Sequence, residues 1–364
     1  MAELSRLYRA DATGAGTHLA LVWKGRVRYT VPRTAAAQAS CWRLFRPGPL
    51  GIPLRAMARL PRMLGAVSCH ESADLALIRS AVGGDAGLSC CRAGAPGPWS
   101  KETILFLSQG NNHPMYLAKA GTGEAVRALL QNESEWVKTL RAEPSLTEHV
   151  PELIAHHAGP EFCFVAQSVV GGDLDFQFGG SHIDFLRKLH AWRRQAMPLE
   201  ETKLYANWQN RLRRLHGMLS ESWSARLKSA IQHMERTLNG KRLDSVAAHN
   251  DFTPWNVRVE RGVARVFDWE YADAEQLPLM DPIHFALLPL ALKRRPIAEL
   301  EKKLGEVLQG AATWFDRECS EAGESQALAY LVNLCTLYLC AESGRAGTNP
   351  VLECYGRLMD SISR

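Results

Sequence analysis

The sequence predicts an α+β fold, with strands gathered in its first half and helices in its second. Two observations predict it. Short apolar runs bounded by turn residues recur before about residue 170, at Leu19–Val31, Thr103–Ser108, Met115–Ala118 and Phe162–Ser168. Beyond that point long stretches lack such turn signals and read as helices, at Ile183–Trp192, about 200 to 240, 296 to 319 and 325 to 342, with a last one after Asn349-Pro350. At 364 residues, with 46% hydrophobic and 22% charged residues, the chain has the composition of an ordinary globular protein with room for two or three domains.

Taken in order, the N-terminus (Met1 to Arg6) lacks the apolar core of a secretory signal, and no apolar run approaches the ~20 residues needed to cross a bilayer. The nine cysteines are scattered and lack Cys-x-x-Cys spacing, which reads as reduced thiols in the cytoplasm and no zinc site. The first hundred residues carry 13 Lys or Arg against 5 Asp or Glu, a balance of about +8, while the whole chain is +5. Leu19–Val31 alternates apolar and basic residues, as in a hairpin turning at Lys24-Gly25. Trp42–Leu64 mixes apolar residues with Arg43, Arg46, Arg55, Arg59 and Arg62. Glycines, prolines and small residues over about 83–100 mark a linker. The expected organisation is therefore a basic extension over 1–100, a strand-rich lobe over 101–170 and a helical lobe over 171–364.

Within the second of these, Ser108-Gln109-Gly110-Asn111-Asn112 is a turn between two strands. Val126, Leu129, Leu130, Val137 and Leu140 give Glu124–Leu140 a helical period. Phe162–Ser168 reads as a buried strand leading into Val169-Val170-Gly171-Gly172. A further break is expected near Gln195–Pro198. His156 and His157 have no nearby cysteine or carboxylate cluster and read as surface or strand-end residues. In Leu277–Phe285, Asp281 followed by Pro282 is a helix-start signal.

The most informative run is His249-Asn250-Asp251-Phe252-Thr253-Pro254-Trp255-Asn256, followed through a hairpin-like Val257–Phe267 by Asp268-Trp269-Glu270. A phosphoryl-transfer site needs a carboxylate to accept the proton of an attacking hydroxyl, and oxygen ligands for a cation bridging the phosphates. Asp251 suits the first task, and Asn256 and Asp268 suit the second. His249 would hold the loop, and Pro254 stiffens the turn between base and ligand.

At these residues the chain resembles the aminoglycoside phosphotransferase and choline kinase superfamily of small-molecule kinases. That resemblance covers roughly residues 101 to 290. It implies a bilobal, protein-kinase-like fold with a small mixed N-lobe and a mainly helical C-lobe. It implies ATP, with GTP as second choice, and Mg²⁺. The Asp-Trp-Glu sequence matches the small-molecule branch rather than protein kinases. Lys119 looks like the strand lysine that pairs with the α- and β-phosphates, and the Gly110 turn would cover the phosphates. Glu133 fits the register of the glutamate that orients the lysine, with Glu135 as competitor. Gln167 and Val169 would lie near adenine. Asp281 would brace the catalytic loop. His190 is assigned no catalytic role, and His284 reads as a packing residue.

The acceptor implied is a small molecule bearing a hydroxyl: a sugar, an amino alcohol or an antibiotic-like compound. A choline-type acceptor would want an aromatic box, for which Trp255, Trp269, Tyr271, Trp314, Tyr330, Tyr338 and Tyr355 are available. Residues 271–364 hold 13 acidic and 9 basic residues, only a slight excess for a polycationic acceptor. The arginine-rich N-terminus reads as a solvated face or as a surface for an anionic partner. Nucleic acid is not expected, because no RNA-binding or helix-turn-helix pattern accompanies the charge. The reading from another class is a nucleotide-binding pseudokinase acting as a scaffold or regulator. Nothing in the sequence sets the oligomeric state.

Overall fold

In the computed structural model, residues 6–23, 26–45, 67–83, 86–94, 99–238, 240–315, 322–344 and 349–363 are described. The expected turn at Lys24-Gly25 and most of the Trp42–Leu64 stretch, with Arg46, Arg55, Arg59 and Arg62, lie outside them. The chain divides into two compact units, one of Met1–Ala142 with Val150–Val170 and one of Glu143–His149 with Gly171–Arg364.

The first unit is built on one antiparallel sheet. Its strands are β1 (Tyr8–Ala10), β2 (His18–Trp23), β3 (Arg26–Pro32), β4 (Val67–Glu71), β5 (Ala86–Arg92), β6 (Glu102–Ser108), β7 (Pro114–Gly121), β8 (Leu153–Ala158) and β9 (Cys163–Ser168). They lie in the order β1-β4-β2-β3-β5-β6-β7-β9-β8. The stretch expected as a linker therefore carries β5, which pairs with β3 on one side and β6 on the other. Its small residues answer a packing demand rather than a need for flexibility. A Cβ on Gly87 would stand 3.1 Å from the Leu107 carbonyl oxygen. Gln195, expected as part of a break, likewise lies in a strand of the second unit.

Among the described residues, three helices cover this sheet: α1 (Ala35–Phe45), α2 (Ala73–Val82) and α3 (Glu124–Ala142). Strand β6 shows why both faces need cover, since Ile104, Leu105, Phe106 and Leu107 are all fully buried. Side chains alternate along a strand, so two of these face each way. Ile104 and Phe106 join Leu75, Ile78 and Val82 of α2. Leu105 and Leu107 join Ala37 and Cys41 of α1.

The expectation of reduced thiols fails at one pair: Cys41 of α1 and Cys90 of β5, 49 residues apart, form a disulfide. Their spacing gave no signal because only helix-on-sheet packing brings them together. Several basic groups of the extension hold the sheet. Arg79 pairs with Glu71, Arg6 pairs with Asp74, and Arg33 donates to the Gly14 carbonyl at 2.8 Å.

The second unit is mainly helical: α4 (Gly180–Trp192), α5 (Lys203–Leu215), α6 (Glu221–Leu238), α7 (Met280–Leu292), α8 (Ile297–Trp314), α9 (Gly323–Ala341) and α10 (Pro350–Ile362). Helix α9 is apolar around most of its circumference and is central to the core, with α5, α6, α7, α8 and α10 packed against it. Asn349 caps α10, accepting the Val351 N–H at 3.0 Å, with Pro350 at the first helical position. Two three-stranded sheets complete the unit: β10 (Asp173–Leu174), β13 (Val257–Glu260) and β14 (Val263–Val266); and β11 (Arg194–Pro198), β12 (Arg242–Ala248) and β15 (Asp273–Gln276). The expected hairpin is β13–β14, turning through Arg261 and Gly262, both at positive φ, as a two-residue hairpin loop requires.

Candidate active site

The motif His249–Asn256 is the loop between β12 and β13, and Asp268 follows β14 after one residue. Sheet pairing on either side and an aromatic underside hold this loop. Phe252, fully buried, stacks on Phe185 at 5.8 Å and lies 5.7 Å from Phe285. His249 meets Trp269 edge-on at 4.6 Å, and the Trp269 indole donates to the Val266 carbonyl at 3.0 Å. Trp269 is thus a core anchor, as are Tyr330 and Tyr355. Of the candidate aromatic box, Trp255 and Tyr271 keep 38% and 42% of their surface exposed.

Asp281 sits in the first turn of α7, where Leu279 is the cap position, so its carboxylate does not cap its own helix. It accepts the backbone N–H groups of His249 at 2.7 Å and Asn250 at 2.9 Å. Burial pushes this carboxyl up, while His249 and the two N–H groups pull against that. Asn250 takes a left-handed conformation (φ 62°) and donates its amide to the Tyr271 carbonyl at 2.9 Å.

His249 is fully buried and both its ring nitrogens are engaged. Nδ1 accepts the Asp251 N–H at 3.2 Å, so the proton lies on Nε2, which donates to the Phe267 carbonyl at 3.0 Å. Burial lowers its pKa, which keeps the ring neutral. His249 thus holds the loop, and neither nitrogen is left to carry a proton for chemistry.

Asp251 is half-buried. Its Oδ2 accepts the Asn256 amide at 2.8 Å, and the same amide reaches the Asp251 backbone oxygen at 3.0 Å. That bond turns the amide oxygen of Asn256 away from Asp251. Its Oδ1 lies 3.1 Å from His284 Nε2. His284, expected as a packing residue, therefore meets this carboxylate directly, a contact that sequence reasoning missed. The available signal was its place three residues after Asp281, on the same helix face. Tyr338 lies near the same carboxylate, and burial together with Asp251 pushes its phenol up to about 12. Asp268 takes a left-handed conformation (φ 74°) ahead of the short turn Trp269–Tyr271. Such backbone strain in a non-glycine residue is often kept for function.

In the first unit, Lys119 lies inside β7 opposite Val165, and Leu117 lies opposite Gln167. Lys119 and Gln167 thus share one sheet face, and α3 packs over it. Glu133 of α3 is fully buried, and its two oxygens each lie 2.8 Å from Lys119 Nζ. Glu135, the competitor, is exposed and bonds Gln131.

The Gln167 side chain, on the sheet face of Lys119, donates to Glu133 at 2.9 Å. The Val169 N–H is taken by the Met115 carbonyl at 2.9 Å, an extension of the β7–β9 ladder. Gly110, at φ 92°, occupies the β6–β7 turn with open space around it. Ser108 and Asn111 close that turn on itself.

The phosphotransferase enzyme family matches residues 93–281. No curated protein sequence gives a significant match. Among solved structures, aminoglycoside phosphotransferase APH(4)-Ia in complex with ADP and hygromycin B is 14% identical, with a TM-score of 0.54 over 80% of this chain and 98% of that one. Its complex with AMP-PNP and hygromycin B gives 0.53 at the same identity and coverage. Choline kinase LicA from Streptococcus pneumoniae matches more loosely, at 12% identity and a TM-score of 0.48 over 72% of this chain and 89% of that one. At these identities the structural likeness establishes the kinase-like fold, and the family match, which spans just over half of the sequence, establishes the lineage. The chain belongs to the phosphotransferase enzyme family.

Proposed function

We propose that this protein transfers the γ-phosphate of ATP to a hydroxyl group of a small molecule in a Mg²⁺-dependent reaction. The observation that carries this reading is the Asp251–Asn256 bond of 2.8 Å. It supports the reading because it holds a carboxylate still for the task of proton acceptor and leaves the amide oxygen of its neighbour for a cation.

Asp251 accepts the hydroxyl proton as the oxygen attacks. Asn256 Oδ1 and the Asp268 carboxylate are the hard oxygen donors that Mg²⁺ prefers, so the residues fit that ion. Bound Mg²⁺ would neutralise charge on the phosphates. Lys119, oriented by Glu133, aligns the phosphates, and Asp281 with His249 holds the loop rigid. Rate enhancement then comes mainly from positioning and fixed charge. The exposed rings of Trp255 and Tyr271, one beside Asn256 and one in the turn after Asp268, suit a sugar-like acceptor or an antibiotic-like one.

ATP titrations by calorimetry, with and without Mg²⁺, on the wild type and Asp268→Ala test the nucleotide half. Binding should need both the metal and Asp268. Phosphate transfer to a panel of sugars, amino alcohols and aminoglycosides tests the rest. The closed, single-glycine turn at Gly110 favours one other reading, a nucleotide-binding scaffold. Tight MgATP binding with no transfer to any acceptor would decide for it.

A further inference from the structure

We propose that His284 is a positioning residue for Asp251, locked in one tautomer by the buried Tyr330–Tyr355 pair. The proposal rests on Asp251 being the base of a phosphotransferase.

Helix α7 serves the catalytic loop twice from one face. Asp281 holds the loop backbone, and His284, one turn on, lies with Nε2 at 3.1 Å from the Asp251 side chain. On its other side, His284 Nδ1 lies 3.0 Å from the Tyr330 hydroxyl on α9. That hydroxyl lies 2.9 Å from the Tyr355 hydroxyl on α10. All three side chains are buried, with exposures of 3%, 3% and 0%.

Hydrogen-bond bookkeeping sets the direction of this chain. A carboxylate only accepts, so His284 must present Nε2–H to Asp251. An imidazole whose single proton sits on Nε2 has a lone pair on Nδ1, which the Tyr330 O–H fills. Tyr330 in turn accepts the O–H of Tyr355. Burial pushes both phenols well above their ordinary value, so each keeps the proton it donates. The opposite tautomer would set the Nε2 lone pair against the carboxylate.

The consequence for Asp251 is geometric. Asn256 pins Oδ2 and His284 pins Oδ1, which fixes the plane of the carboxylate. The lone pairs not used by these donors are left for the acceptor hydroxyl. Supports of this kind, one bond removed from the reacting group, are typically worth about 10- to 100-fold in activity.

The test combines kinetics with a spectrum. His284→Ala should lower kcat about 10- to 100-fold while leaving KM for MgATP within about twofold. His284→Gln, whose amide nitrogen can donate from near the Nε2 position, should recover most of that loss. Tyr330→Phe should fall between the two. Should His284→Ala fail to fold, His284→Gln and Tyr330→Phe carry the kinetic test. Side-chain ¹⁵N spectra of the wild type should show the His284 proton on Nε2 and a bare Nδ1, and its signals should shift in Asp251→Asn and in Tyr330→Phe.

A folded His284→Ala enzyme with kcat within about twofold of wild type overturns the proposal. So does a His284 that averages between tautomers or carries its proton on Nδ1. A wild type that transfers phosphate from MgATP to no acceptor, water included, sinks the phosphotransferase reading by itself. The spectra then decide the His284–Asp251 link independently.

Discussion

The Lys119–Glu133–Gln167 cluster of the first unit and the Asp281–His249–Asp251 cluster of the second are both buried and polar, yet they are assembled differently. In the first, a fully buried carboxylate meets a cation and an amide carried on two neighbouring strands. In the second, a buried carboxylate meets neutral backbone N–H groups of a loop that reaches it directly. The first arrangement depends on charge compensation. The second depends on satisfying main-chain donors, and leaves one further carboxylate, Asp251, half-exposed for chemistry. Removing a partner should therefore damage stability most in the first cluster. Removing Asp251 should damage chemistry and little else.

The largest expected effect is on turnover. Asp251→Asn should reduce phosphate transfer by about 10²- to 10⁴-fold, while calorimetry finds MgATP affinity nearly unchanged. An enzyme that keeps most of its activity would remove Asp251 from the role of base.

Next comes stability of the first unit. Glu133→Ala removes the buried carboxylate that both Lys119 and Gln167 bond, which should cost about 3 kcal/mol in denaturant unfolding. Glu133→Gln, which keeps one acceptor oxygen, should cost less. Equal losses for the two would show that packing, not charge compensation, holds that cluster.

Asp281→Ala strands two buried N–H groups and should cost about 2 kcal/mol, together with a fall in kcat. Stability loss without loss of activity would separate the brace from the chemistry.

The smallest effect is a pH slope. His182 is fully buried among Phe178, Phe252 and Phe285, and burial lowers its pKa from the ordinary 6.5. The unfolded chain then binds a proton that the folded chain refuses. Stability is therefore full above about pH 7 and declines as pH falls through 6.5. His182→Phe should flatten that acid limb by up to one proton's worth, ~1.4 kcal/mol per pH unit. Thermal melts from pH 7.5 to 5 in both proteins would show it, and parallel curves would exclude His182 as a contributor.

The spacing of His249, Asp251, Asn256 and Asp268 was readable because one loop and one short hairpin carry all four, and chain geometry over such a distance leaves few arrangements. The helix over Glu124–Leu140 was readable from its apolar period, and α3 runs from Glu124 to Ala142. Glycine and small residues misled at β5, because the same composition serves a flexible linker and a tightly packed strand. A sequence places a residue on a strand, but neighbouring strands and helices decide whether its amide or its N–H is already spent.

By itself, then, the sequence determined what local chain stiffness and periodicity control: the α+β class, most elements, the family motif and the order of its chemical groups. Only tertiary structure decided which distant partners those groups meet. Cys41 finds Cys90, Glu133 rather than Glu135 finds Lys119, and His284 finds both Asp251 and Tyr330. Each of these contacts depends on how one element packs against another. Packing is set by the fit of whole faces and the exclusion of water from them, which no short window of residues encodes.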